Sequence, residues 1–248
     1  MARRKDYPLF RLIKFLVWVF YPKTTVEGAG HLPEEPALIV GNHSKMNGPI
    51  ACELYFPRKR YTWCIGEMMH LKEVPDYAFR DFWSMKPRRI RWFYRLLSHL
   101  IAPLAEYIFT HAHTIPVYHD ARVMTTFRQS VRRLEEGADI VLFPERDEPW
   151  NNILCRFQEH FADLAEMYYR RTGIVVCFIP MYTAPRLKSI HFGKPIRYCP
   201  EAPEAEERNR ICREIADSIS ALAFALPRHT VIPYLNIPKK QYPVNTDR

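Results

Sequence analysis

His43 is the residue whose setting points most directly to chemistry. It stands in Gly41-Asn42-His43-Ser44-Lys45-Met46-Asn47-Gly48, directly after the apolar run Ala37-Leu38-Ile39-Val40. An imidazole titrates near neutrality, so it can take a proton from a hydroxyl under mild conditions. A short continuous apolar run reads as a buried strand, and open α/β sheets bind ligands beyond the C-terminal ends of their strands. The same histidine in a structural role would close the strand with one hydrogen bond, and local sequence weighs the two roles equally. Ser44 is a poor nucleophile candidate, because adjacent side chains rarely face one another and no G-x-S-x-G elbow occurs. It is expected instead to cap a helix starting near Lys45.

Three further strand ends carry polar or ring-bearing residues. They are Leu142-Phe143-Pro144-Glu145-Arg146, Ile179-Pro180-Met181 and Ile115-Pro116-Val117-Tyr118-His119. In this order the blocks resemble the glycerolipid acyltransferase superfamily, which includes glycerol-3-phosphate and lysophosphatidic acid acyltransferases. Asn42 and His43 match the family's Asn-His, and Phe143, Pro144 and Glu145 match the start of its Phe-Pro-Glu-Gly-Thr-Arg. The run 114–119 fits the second block with His119 in the place of the usual Arg, and 175–180 fits the fourth. The likeness spans about residues 10–200. It departs where the family has Asp, which is Gly48 here, and where Arg146-Asp147-Glu148 replaces Gly-Thr-Arg.

The resemblance implies acyl transfer from an acyl thioester, carried by coenzyme A or acyl carrier protein, to a hydroxyl of a glycerol-phosphate or lysophospholipid-like acceptor. His43 would be the general base, and no metal or redox cofactor is needed. Asn47 is the nearest group able to orient the imidazole by hydrogen bonding, as an amide does in Cys-His-Asn sites. Asp147 or Glu148 could bring a carboxylate from another loop. Glu145 is a polar group at the third-block turn. Asn42, Ser44, Lys45, His119, Phe143, Pro144 and Arg146 are candidate substrate-binding residues, with Lys45, His119 and Arg146 facing the anionic acceptor. The missing Asp leaves a second reading open, a family member that binds lipid or acyl groups without catalysis.

The elements that must position these residues alternate along the chain. Strands are expected at 37–41, 61–65, 114–118, 139–143 and 174–179, with Pro116 and Pro180 at strand edges or ends. Residues 189–192 and 196–198 would form a hairpin across Gly193-Lys194-Pro195. Helical spacing occupies 121–136, stopping at Gly137, then 157–171, stopping at Gly173, and 203–226. This order is α/β, with a central mixed sheet flanked by helices. One domain over 23–231 is expected, with an N-terminal helix within 1–22 and a Pro-rich polar tail, 232–248, lying loosely on the surface.

The N-terminal run PLFRLIKFLVWVFY (8–21) is interrupted by Arg11 and Lys14 and is shorter than a spanning helix needs. No small-residue cleavage site follows it, so it is not read as a signal peptide. It is an amphipathic helix for a lipid interface or for capping the core. Residues 92–109 form a second apolar helix, with a kink expected at Pro103 and with Lys86, Arg88, Arg89 and Arg91 just before it. The 248 residues carry 36 Lys+Arg and 27 Asp+Glu, a net charge of +9. Residues 56–95 alone hold ten basic against four acidic residues, or +6. An anionic membrane suits this pattern, with the protein peripheral on its cytoplasmic face. A single-stranded nucleic acid is the weaker alternative, since no RNP1, helix-turn-helix or zinc-finger pattern supports it. Only eight glycines occur and no phosphate-binding glycine fingerprint is present. The six cysteines form no C-x-x-C and read as reduced, buried thiols. His111, His113, His119 and Asp120 lie close together but lack the spacing of a zinc site.

Overall fold

Short apolar segments without polar alternation become strands covered on both faces, and this chain builds its sheet from them. The computed structural model describes residues 7–84, 86–118 and 120–246. In chain order the helices and strands are α1 (Pro8–Phe20), β1 (Thr25–Glu27), β2 (Leu38–Gly41), α2 (Asn47–Tyr55), β3 (Arg60–Ile65), α3 (Val74–Ala78), α4 (Arg91–His111) and β4 (Thr114–Val117). Then follow α5 (Val123–Glu135), β5 (Asp139–Leu142), β6 (Glu145–Pro149), β7 (Cys155–Phe157), α6 (Asp163–Thr172), β8 (Cys177–Ala184), β9 (Ser189–Phe192), β10 (Ile196–Arg197) and α7 (Glu204–Ala225). The chain divides into two compact units, one of residues 7–21 and 62–126, the other of 22–61 and 127–246.

In the second unit the strand order is β1–β9–β8–β2–β5, with β10 also on β8. The β1–β9, β2–β8 and β2–β5 pairs are parallel, while β9 and β10 run antiparallel to β8. Helices α2 and α7 pack on β8. This is the α/β class expected, with a mostly parallel sheet flanked by helices. Every residue of β2 and β5 is buried, which is why neither sequence alternates. Asp139 opens β5 with a fully buried carboxylate held by the Arg58 guanidinium (Nη2–Oδ1 2.6 Å) and by the Ala37 N–H (2.8 Å). Burial pushes its pKa up, against the pull of Arg58.

Four expectations about the elements of this unit change. First, β8 does not stop at Pro180 but continues to Ala184. The C=O of Pro180 accepts the Gly193 N–H (2.8 Å), and the N and C=O of one strand residue face the same side. The missing donor therefore falls opposite the Gly193-Lys194-Pro195 break between β9 and β10, where no ladder bond is required. Second, that break is not a hairpin turn, because β9 and β10 are successive pieces pairing with the same strand. Third, β6 and β7 form a separate two-stranded sheet from residues expected to be a charged turn, and the first turns of the 157–171 helix become irregular and 3-10 structure, with α6 starting at Asp163. Fourth, the 232–246 segment is fastened down rather than loose. Asn245 is 0% exposed, and its amide donates to the carbonyls of Ala223 (2.8 Å) and Leu226 (3.1 Å).

In the first unit β3 and β4 pair in parallel, from Thr62↔Thr114 to Ile65↔Val117. Met68, Val74 and Ala102 centre a small core to which Cys64, Tyr77 and Phe109 add. Helix α1 lies against α4, with the Tyr7 ring edge-on to His111 at 4.1 Å. Phe10 is the buried residue of α1; Leu9, Leu12, Phe15, Leu16, Trp18 and Val19 are exposed, and Phe20 is 84% exposed. The capping role is thus filled by Phe10 with the half-buried Ile13, and the other apolar side chains face outward. Helix α4 runs unbroken through Pro103 and exposes Trp92, Leu96, Leu100 (76%) and Leu104 at four-residue spacing, which is one stripe. Among the described residues no helix is long and apolar enough to cross a membrane. All six cysteines are free, Cys52 and Cys155 buried and Cys199 exposed.

Candidate active site

Strand β2 ends at Gly41, and the next two residues are held by the side chains of other elements. Both polar ends of the Asn42 amide are taken by Thr183 of β8: Nδ2 donates to its carbonyl (3.1 Å) and Oδ1 accepts its N–H (2.7 Å). Asn42 thereby continues the β2–β8 ladder one residue past the strand. The His43 N–H donates to Glu145 Oε2 (2.6 Å), and Glu145 Oε1 accepts the Cys155 N–H (2.9 Å). One buried carboxylate, 2% exposed, thus ties the backbone at His43 to both strands of the β6–β7 sheet.

Among the described residues no carboxylate is bonded to the His43 ring. Its Nδ1 donates to the Lys45 carbonyl, so the lone pair is left on Nε2. The ring sits between two aromatics, Phe143 and Tyr234, each with its centroid 5.5 Å away. Burial lowers the imidazole pKa below its ordinary value, while the Lys45 carbonyl acts the other way. Burial is the larger effect, so the imidazole is neutral at pH 7.

That ring bond requires an unusual turn. Ser44 (φ +48°) and Lys45 (φ +55°) are both left-handed without being glycine, a conformation costing about 1–3 kcal/mol per residue. The turn swings the Lys45 carbonyl back under the ring. Ser44 does not cap the following helix. Its hydroxyl donates to the Ile232 carbonyl (3.2 Å), and α2 starts at Asn47. Asn47, the group expected to orient the imidazole, donates from Nδ2 to the Ser44 carbonyl (2.9 Å) and so braces the turn. Asp147 is exposed, and Glu148 is committed elsewhere. Glu148 is held by Arg146 (2.7 Å) and Arg156 (2.8 Å) on the exposed side of the β6–β7 sheet.

The remaining expected residues divide cleanly. Phe143 is at the ring, Pro144 is buried and its carbonyl accepts the Gln158 N–H (2.8 Å), and the Lys45 ammonium lies 5.4 Å from the Tyr242 ring. Arg146 is exposed and paired with Glu148, not with the His43 turn. His119 lies outside the described residues. Among the described residues no group of His, Cys, Asp and Glu is placed to hold a metal ion. Tyr234, Tyr242 and the Ile232 carbonyl belong to the site and had no sequence signal, since their segment reads only as polar and Pro-rich.

Glu145 gives a measurable electrostatic consequence. Burial raises its pKa to about 7, opposed by the N–H groups of Cys155 and His43. A raised folded-state pKa contributes stability that is complete below the unfolded value near 4.5 and is lost as pH rises through about 7. The shift corresponds to on the order of 3 kcal/mol. Urea unfolding at pH 5 and pH 8 should therefore show a fall in stability that Glu145→Gln removes; an equal fall in the variant would refute it.

No family model matches the chain, and no curated protein matches it. Among solved structures the chain is similar to the 1-acyl-sn-glycerophosphate (LPA) acyltransferase PlsC from Thermotoga maritima. The two are 17% identical over 88% of this chain and 81% of that one, with a TM-score of 0.47.

Proposed function

We propose that the protein is an O-acyltransferase that moves a fatty acyl group from an acyl thioester to a hydroxyl of a glycerol-phosphate or lysophospholipid-like acceptor. The observation that carries this reading is the His43 ring at the C-terminal end of β2, with Nδ1 committed to the Lys45 carbonyl and Nε2 left as the base. In the step proposed, Nε2 takes the acceptor's hydroxyl proton as its oxygen attacks the thioester carbonyl. The C–O bond forms, the C–S bond breaks, and the imidazolium returns the proton to the leaving thiolate. No metal or redox cofactor enters this balance. Lys45 is the basic group beside His43 and is assigned to the acceptor's anionic head. Purified protein supplied with acyl-CoA or acyl carrier protein thioesters and a panel of lysolipids tests the reading, against a His43→Ala control.

One observation favours a second reading. A carbonyl carries only a partial negative charge, so it stabilises the imidazolium less than a carboxylate does. A lipid- or acyl-binding protein with the same fold and no turnover fits that geometry. In the same assay it would bind labelled lysolipid and transfer nothing.

The acceptor class places the protein at a lipid surface. The exposed apolar faces of α1 and α4 belong to one unit, and Arg88 and Arg89, both exposed, lie just before α4. We assign this face to an anionic membrane, with the aromatic and aliphatic side chains in the acyl boundary and the basic residues at the headgroups. Sedimentation with anionic vesicles should show binding that falls at least about a hundredfold in Leu96→Asp/Leu100→Asp, since each leucine contributes about 1.5–3 kcal/mol on burial. Unchanged binding in that variant would refute the assignment.

A further inference from the structure

Helix α7 ends at Ala225, and the chain then closes a loop over the His43 turn. Its base is a short antiparallel bridge: Thr230 faces Val244, the Val231 N–H donates to the Pro243 carbonyl (2.9 Å), and the Asn245 N–H donates to the His229 carbonyl (3.0 Å). With its ends joined and its length under sixteen residues, the span 232–242 is an Ω-loop. The base is anchored twice. Asn245 is fully buried, accepts the His229 N–H on Oδ1 (2.8 Å) and donates to the carbonyls that end α7. The His229 ring is fixed between the Pro227 carbonyl and the hydroxyl of Tyr182 on β8, both at 2.8 Å. Tyr182 is next to Thr183, the residue that holds Asn42.

The loop touches each residue of the strained turn. Tyr234 lies against the His43 ring, the Ile232 carbonyl accepts the Ser44 hydroxyl, and the Tyr242 ring lies under the Lys45 ammonium. Two consecutive left-handed residues that are not glycine persist only where their surroundings over-determine them. Asn47 braces the turn from inside, and the loop is the brace from outside.

We infer that the 232–242 loop is part of the active site, a strap that positions His43 by holding the Ser44-Lys45 turn so that the Lys45 carbonyl fixes the ring tautomer. Asn245 and Ser44 are the positioning residues, Asn245 by closing the loop's base and Ser44 by tying the turn to the loop. The inference rests on the acyl-transfer reading only for its consequence in turnover. The tautomer itself is observable without any substrate.

The test is the nitrogen-15 spectrum of the His43 ring in the full-length protein at neutral pH. The wild-type ring should show a single form, protonated on Nδ1. Ser44→Ala and Asn245→Ala should both bring in the Nε2-protonated form, with acyl transfer reduced at least about tenfold, since a misassigned tautomer costs a triad enzyme about 10⁴. Asn245→Asp keeps the acceptor for His229 and loses the donors to Ala223 and Leu226, so it should fall between. A single Nδ1-protonated form in folded Ser44→Ala and Asn245→Ala would overturn the inference. If Asn245→Ala does not fold, Ser44→Ala decides alone. Wild-type protein that transfers no acyl group, yet changes tautomer in the variants, would refute the catalytic reading and leave the strap in place.

Discussion

His43→Ala is expected to lower acyl transfer by about 10²–10⁴ while leaving the fold intact, the range a positioned general base contributes. The backbone at 43 keeps its bond to Glu145, because that contact uses the N–H and not the ring. The variant loses the Nδ1 bond to Lys45 and the ring contacts to Phe143 and Tyr234, and nothing at the base of the strap. Stability should therefore drop by only about 1–3 kcal/mol, the scale of a half-buried ring and one hydrogen bond. Turnover and a melting curve measured on the same preparation separate the two effects. Wild-type turnover no greater than that of His43→Ala would sink the acyltransferase reading.

The second large effect runs against the motif that the sequence resembles. Gly48→Asp introduces the carboxylate that the resembled motif has at this position, yet it is expected to destabilise the protein and not to raise activity. A β-carbon at 48 would lie 2.7 Å from the Asn42 carbonyl oxygen, 2.9 Å from that of His43 and 2.8 Å from Phe143 Cε1. Two of these atoms are backbone, so relief requires moving the segment past β2 that carries His43. Overpacking of this kind costs about 1–3 kcal/mol, and a carboxylate beside two carbonyl oxygens adds a desolvation penalty of several kcal/mol. Gly48→Ala isolates the first term. Urea unfolding of wild type, Gly48→Ala and Gly48→Asp should give a decreasing series, and a Gly48→Asp protein as stable as wild type and more active would contradict it. The turn is packed around glycine here, and the His43 Nδ1 bonds the Lys45 carbonyl instead.

Regular elements were legible where burial was two-sided or helical spacing was long. Residues 37–41 and 139–143 became β2 and β5, 121–136 became α5, and 203–226 became α7 within a residue or two at most ends. The β6 strand was not legible, because Glu145-Arg146-Asp147-Glu148-Pro149 is exposed after its first residue and lacks the apolar alternation of a covered strand. Pro180 misled for a different reason. A proline argues against a central strand until a break in the neighbouring strand is known, and that break is a tertiary fact. The position of His43 just past a buried strand was legible from the apolar run before it. The group its Nδ1 bonds was not, because a main-chain carbonyl has no residue type to read, and the left-handed pair Ser44-Lys45 contains no glycine to mark it.

The Ser44–Ile232 tie joins residues 188 positions apart. A bond of that span exists only when both ends of the second unit are folded, so the aim of the imidazole is a property of the whole unit and not of the local segment that carries it.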